Sequence, residues 1–217
     1  MAEIRWYGHN CFRIRAREAT IVTDPVGRNT GYTMPKVTAD LVSISHHHPG
    51  HKNLAAIRPD PPFRVIDGPG EYEIHDVLTT GVRTYHDTSK GADRGYNTIF
   101  LFTVEGITFC HLGDLGHPLS QAQAESLSGS DVVFVPAGGD NTSIIDPTRA
   151  AEIIGQLEPK LVIPMQYAAG SGDSGLGDLT AFCKALGVET PEPEDKLTIR
   201  QSDLAESMRV VALTPES

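Results

Sequence analysis

Three stretches of this chain share one grammar, and that repetition limits the folds open to it more than any other feature. Ala39-Asp40-Leu41-Val42, Ser130-Asp131-Val132-Val133 and Glu158-Pro159-Lys160-Leu161-Val162 each lead into an apolar run with the length of a buried strand. Each run ends in polar or glycine-rich sequence: His46 to His51, Gly138-Gly139-Asp140-Asn141, and Gln166-Tyr167. Ligand sites in α/β sheets gather at the carboxyl ends of strands, so these three loops are expected to share one cleft.

The remaining sequence fits a single domain over residues 1–217, β-rich early and α/β late. Short strands are expected at 4–7, 11–15 and 20–23, separated by Gly8-His9-Asn10 and a charged turn, and residues 26–38 read as a loop. Further strands are expected at 40–45, 63–67, 71–75, 77–85, 96–104 and 106–111. Asp146 before Pro147 is an N-cap with proline at the first helical position; Ala150, Ile153, Ile154 and Leu157 then fall on one face, and Pro159 ends the helix. Leu179, Phe182, Cys183 and Leu186 repeat that spacing, with Gly187 as the stop. A shorter helix is expected from near Ser120, with Gln123 completing a capping box, towards Leu127.

Charge narrows the partners. Eighteen basic against 28 acidic residues leave a formal net charge of −10, and Arg28, Lys52, Lys90 and Arg94 are isolated rather than clustered. Such a surface repels phosphate backbones, which argues against nucleic acid and for a small-molecule substrate. No apolar run has the length of a membrane span, and Met1-Ala2-Glu3-Ile4-Arg5 lacks a signal-peptide pattern, so no membrane partner and a cytoplasmic location are expected. Cys11, Cys110 and Cys183 are odd in number and widely spaced in apolar or helical patterns, the mark of buried free thiols. No feature assigns an oligomeric state.

The chemistry concentrates in one segment. His46-His47-His48-Pro49-Gly50-His51 holds four of the nine histidines, directly after the strand-like Leu41-Val42-Ser43-Ile44-Ser45. Neutral imidazole is the commonest side-chain ligand for zinc, and a strand delivering several imidazoles from its carboxyl end is how a metal site is built. On an extended segment His46 and His48 face one side, His47 points away, and His51 returns from the following turn. Zinc suits such a set, with manganese or iron as alternatives. The competing reading is a solvated histidine loop.

Seven segments in order resemble the metallo-β-lactamase-fold hydrolases, in the branch that includes ascorbate-6-phosphate lactonase. They are Trp6-Tyr7-Gly8-His9-Asn10-Cys11-Phe12, Thr23-Asp24-Pro25, Ser45 to His51, His86, His111-Leu112-Gly113-Asp114, Pro136-Ala137-Gly138-Gly139 and Ile163-Pro164-Met165-Gln166-Tyr167. The resemblance implies an α+β/α/β four-layer αββα sandwich. It also implies a first metal held by His46, His48 and His86, and a second sharing Asp114 with His51. Two family ligands are absent: Gly50 stands where the histidine motif has aspartate, and Gln166 where a histidine follows Pro-Met. Glycine has no donor, and an amide oxygen suits calcium or magnesium better than zinc. Both departures fall on the second metal, so one ion is expected.

Three histidines with an open fourth position still suffice for hydrolysis, because zinc lowers the pKa of bound water to about 7. Asp114 would accept a hydrogen bond from that water or complete the coordination. His111 would line the cleft or carry a proton; a satisfied buried histidine is the competing reading. By resemblance Asp24 is a carboxylate that orients the histidine loop; a turn aspartate before Pro25 is the competing reading. His9 reads as structural, His117 as ambiguous and His75 as a surface residue. The segment from Gly138 to Thr142 could bind an anionic substrate group through its amides or be a tight turn. Residues 168–177 read as a loop beside Gln166 that covers the cleft or simply connects. The expected function is a metal-dependent hydrolase of a small-molecule ester, lactone or phosphate ester, using metal-bound hydroxide. The alternative is a binding or scaffold protein that keeps the fold after losing its second metal site.

Overall fold

The computed structural model describes residues 1–141, 143–170, 172–204 and 207–216, so Thr142 and Ser171 of the two loops just named lie outside the described residues. The first sheet is built from β1 (Ala2–Trp6), β2 (Phe12–Arg15), β3 (Thr20–Thr23), β4 (Leu41–Ser43) and β5 (Arg64–Ile66). The second takes β6 (Gly70–Ile74), β7 (Val77–Tyr85), β8 (Tyr96–Val104), β9 (Ile107–His111), β10 (Val132–Pro136) and β11 (Leu161–Met165). Two late strands close the edges: β12 (Leu197–Ile199) pairs with β1, and β13 (Arg209–Val210) with β11. The sheet orders are β12-β1-β2-β3-β4-β5 and β13-β11-β10-β9-β8-β7-β6.

Burial follows the sequence pattern. Alternation in β1 and β7 puts one face of each inward, whereas β10 and β11 are buried at every position and run parallel in the sheet centre. The sheets face each other through a core that includes Ile4, Trp6, Phe12, Phe100, Phe109 and Phe134, with the Phe12 and Phe134 ring centroids 4.4 Å apart. The outer face of the first sheet, Cys11, Val22 and Val42, packs under Val26, Tyr32, Val37 and Ile57 from loop segments. Helices cover the second sheet, which completes four layers. They are α1 (Gln121–Ser126), α2 (Pro147–Leu157) and α3 (Leu179–Leu186), and α2 buries Ala150, Ile153, Ile154 and Leu157.

The caps are those expected. Ser120 and Gln123 form the reciprocal box, the Asp146 carboxylate accepts from the Arg149 amide, and Gly187 ends α3 in the left-handed conformation. All three cysteines are buried and free. Among the described residues no helix is long and apolar enough to cross a membrane.

The carboxyl ends of β4, β10 and β11 lie at one end of the sandwich. There the Thr98 amide donates to the Ser45 carbonyl at 2.8 Å, and the Gly138 amide to the Gln166 carbonyl at 3.0 Å.

Candidate metal centre

β4 ends at Ser43, and two residues later the chain turns back: His48 N–H bonds the His46 carbonyl, and His51 N–H the His48 carbonyl, both at 3.0 Å. Strand alternation therefore stops before His48. His46 and His51 are buried and His48 is exposed. Asp24 fixes the entry to this turn, taking the Ser45 amide at 2.7 Å and its hydroxyl at 2.6 Å. Burial works to raise the Asp24 pKa, but His51, His111 and His46 lower it below its usual range. Asp24 thus sits where a loop-orienting carboxylate should be.

Asp114 follows β9 and occupies the middle. Its Oδ1 accepts from Asn10 Nδ2 at 2.5 Å and from Gln166 Nε2 at 2.8 Å. Its Oδ2 meets three imidazoles, with His86 Nε2 at 3.2 Å and His46 Nε2 and His51 Nε2 both at 3.6 Å. Burial would raise the Asp114 pKa, yet the facing histidines hold it well below the carboxylate range. Burial pushes His46 down to about 4, only partly offset by Asp114. For His51 burial again works downward, but Asp114 and Asp24 lift it to about 9. His86 donates from Nδ1 to the Ser143 carbonyl at 2.8 Å, which leaves its Nε2 lone pair aimed at the centre.

These residues fit a divalent ion. His46 Nε2 and Gln166 Oε1 are buried without a hydrogen-bond partner, and ion pairs to Asp114 come from imidazoles. Unpaired donors around a buried carboxylate are what a cation would satisfy. Ligating atoms fall within 4.8 Å of one another in three sets: His46, His48 and His51; His9, His51 and Asp114; and His46, His86 and Asp114. The set His46, His48 and His86 is not gathered. The Gly50 amide donates to His48 Nδ1 at 3.2 Å, so its Nε2 carries a proton rather than a free lone pair.

His9 is the residue that sequence reasoning left outside the centre. The β1–β2 turn holds it in the left-handed region at φ 51°, after Gly8 at φ 90°, and Trp6 Nε1 donates to its carbonyl at 3.0 Å. Its Nε2 lies 3.2 Å from His51 Nε2, and its Nδ1 2.8 Å from Asp173 Oδ1. The available signal was the tight Gly8-His9-Asn10 connection between β1 and β2, which marks a turn without announcing a ligand.

Other sequence candidates lie elsewhere. His111 is fully buried, its Nε2 on the Asn10 carbonyl at 3.0 Å and its ring against Phe12 and Phe134, so it neither lines the cleft nor reaches substrate. The cause is β9 parity: Ile107, Phe109 and His111 share the inward face. His47 is exposed beside Asp67, His75 sits in the β6–β7 turn at φ 49°, and His117 Nε2 accepts the Tyr85 amide.

A cleft of about 540 Å³ opens over the centre, lined by His9, His48, His51, His86, Asp114 and Gln166. Asn29 to Gly31, Ser143-Ile144 and Asp173 to Leu176 form its walls, and exposed Arg94 stands at its rim. Two of the three expected loops thus reach the cleft directly, and the third does so through Ser143 and Ile144.

The profile of the beta-lactamase superfamily domain matches residues 3–166. The UPF0173 protein of Pyrococcus abyssi is 27% identical over 197 residues, covering 81% of this chain and 88% of that protein. A UPF0173 metal-dependent hydrolase of Lysinibacillus sphaericus is 26% identical over 197 residues, covering 76% and 85%. Among solved structures, a Thermotoga maritima protein provisionally described as a Zn-dependent hydrolase of the metallo-beta-lactamase superfamily matches at TM-score 0.80 and 36% identity over 99% of both chains. A metallo hydrolase of Ignicoccus hospitalis, at 19% identity and TM-score 0.65 over 90% and 97%, shares the fold.

Proposed function

This chain belongs to the beta-lactamase superfamily, and from that premise we propose that it is a metal-dependent hydrolase of a small-molecule ester, lactone or phosphate ester. The observation that carries the reading is the convergence of three imidazole Nε2 atoms on one oxygen of buried Asp114. On the ligands that fill family positions, His46, His86 and Asp114 would hold one ion, and His48 would join by giving up its bond from Gly50. The donor set favours zinc, with manganese or iron as alternatives. The chemistry such an ion supplies when bound is polarisation of the scissile group and acidification of water.

The protein's own groups do the rest. Asn10 and Gln166 fix Asp114 through Oδ1 and leave Oδ2 free to face the cleft. Ser143 fixes the His86 tautomer, and Asp24 fixes the loop that carries His46. Arg94 at the rim is placed to bind an anionic part of the substrate, which fits a phosphate ester or a carboxylate-bearing lactone. Likeness to the lactonase-like branch supports the same substrate class. Buried free thiols support a reducing compartment, the cytoplasm.

The test is hydrolysis of a panel of esters, lactones and phosphate esters by protein as purified, after chelation, and after zinc is restored. Activity lost on chelation and regained with zinc is expected, and Asp114→Asn should lose metal and turnover together. Turnover that survives complete chelation overturns the reading. Gly50 and Gln166 favour a second reading, a binding protein that has lost catalysis. Metal uptake without turnover on any substrate class would support it.

A further inference from the structure

We propose that His9 is itself a metal ligand, completing with His51 and Asp114 a second site that replaces the family's own. This rests on the metal-centre reading above and adds a ligand that the family motif does not contain.

The first support is tautomeric. A carboxylate only accepts, so Asp173 Oδ1, 2.8 Å from His9 Nδ1, puts the His9 proton on that nitrogen. On the far side of the His51 ring Asp24 Oδ2 lies 3.5 Å from Nδ1, an ion-pair distance without a hydrogen bond. The two Nε2 atoms then face each other across 3.2 Å, with Asp114 Oδ2 3.6 Å from His51 Nε2. A cation among these three atoms would satisfy all of them at once, in place of a proton shared between the two rings.

Spacing agrees. Two imidazole nitrogens about 2.0–2.1 Å from one tetrahedral zinc ion stand about 3.3 Å apart. The ion pairs of Asp24, Asp114 and Asp173 are all with imidazoles, so these carboxylates bring charge that no lysine or arginine pair neutralises among the described residues. The backbone is committed too: His9 at φ 51° and Asp173 at φ 52° both hold conformations that L-residues rarely adopt.

The departures from the family pattern then make sense together. A Cβ on Gly50 would come 3.1 Å from Thr30 Cγ2 and 3.2 Å from His48 Nδ1, so an aspartate there would need these side chains to shift by a few tenths of an ångström. Gln166, in the place of the last family histidine, donates to Asp114 and lies 3.5 Å from His9 Nε2.

The test is zinc stoichiometry of chelator-stripped protein, by equilibrium dialysis with elemental analysis, and cobalt(II) substitution read by its visible spectrum. Wild type is expected to take up two ions per chain and His9→Ala one. Asp173→Asn, a positioning change, should weaken the second ion by about 10–100-fold and alter its cobalt bands while leaving the first ion in place. Far-UV circular dichroism shows that the variants fold; if His9→Ala does not, Asp173→Asn and His9→Gln carry the test. Wild type binding one ion, or His9 and Asp173 variants still binding two with wild-type affinity, overturns the proposal and leaves the hydrolase reading standing. Wild type binding no ion overturns both. A shared proton between His9 and His51 with no ion between them would show as one-ion stoichiometry.

Discussion

Replacing Gly8 with alanine tests how the fold holds His9 in place. Gly8 sits at φ 90°, and a Cβ there would come 2.6 Å from Tyr32 Cδ2 and nearer still to Cγ and Cδ1. Tyr32 cannot easily yield. Its hydroxyl donates to the Ala169 carbonyl at 3.0 Å, and its Cδ2 lies 2.5 Å from where a Cβ on Gly172 would stand. Left-handed backbone costs alanine about 1–2 kcal/mol, and overpacking adds about 1–3 kcal/mol. Stiffening of the unfolded chain returns about 0.4–1 kcal/mol. Gly8→Ala should therefore destabilise the protein by about 3 kcal/mol, lowering the Tm by roughly 6–12 °C for a chain of this size. Urea unfolding measures it, in wild type and in a Tyr32→Ala background. With the ring gone only the backbone cost should remain, about 1 kcal/mol. A change within about 0.5 kcal/mol of wild type, or an equal cost in both backgrounds, would refute the reasoning.

Three further outcomes are expected. Asp24→Asn removes the carboxylate that receives the Ser45 amide and hydroxyl, and should cost about 2–3 kcal/mol in urea unfolding while weakening zinc binding in dialysis. Arg94→Ala should raise KM about tenfold for an anionic substrate and leave kcat and a neutral analogue unchanged, since the rim contact binds ground and transition states alike. Zinc at a hundred times its Kd should stabilise stripped protein by about 2.7 kcal/mol, read as a calorimetric Tm shift that chelator reverses.

How much was legible depends on how far each role reaches along the chain. Helix ends were readable because Ser120, Asp146 and Gly187 act on amides or carbonyls within a few residues. The gathering of His46, His51, His86 and Asp114 was legible through family resemblance, since they lie on different elements. His48 comes within ligating distance of His46 and His51 but is exposed, because the strand ends at Ser43 and period-two reasoning does not carry past it. His111 needed one more step, the parity it shares with Ile107 and Phe109. His9 was the hardest. Its partners His51 and Asp173 are 42 and 164 residues away, and no local pattern announces contacts of that range.

The two amides on Asp114 come from different halves of the molecule: Asn10 from the turn joining two strands of the first sheet, Gln166 from the end of β11 in the second. Asp114 is thus a rivet between the sheets as well as a ligand. Whatever occupies its other oxygen is thermodynamically linked to the separation of the sandwich, so that loading the centre slows the opening of both sheets at that end. Amide exchange in β1, β2 and β11, which contain none of the candidate ligands, would then register occupancy from the far side of the core.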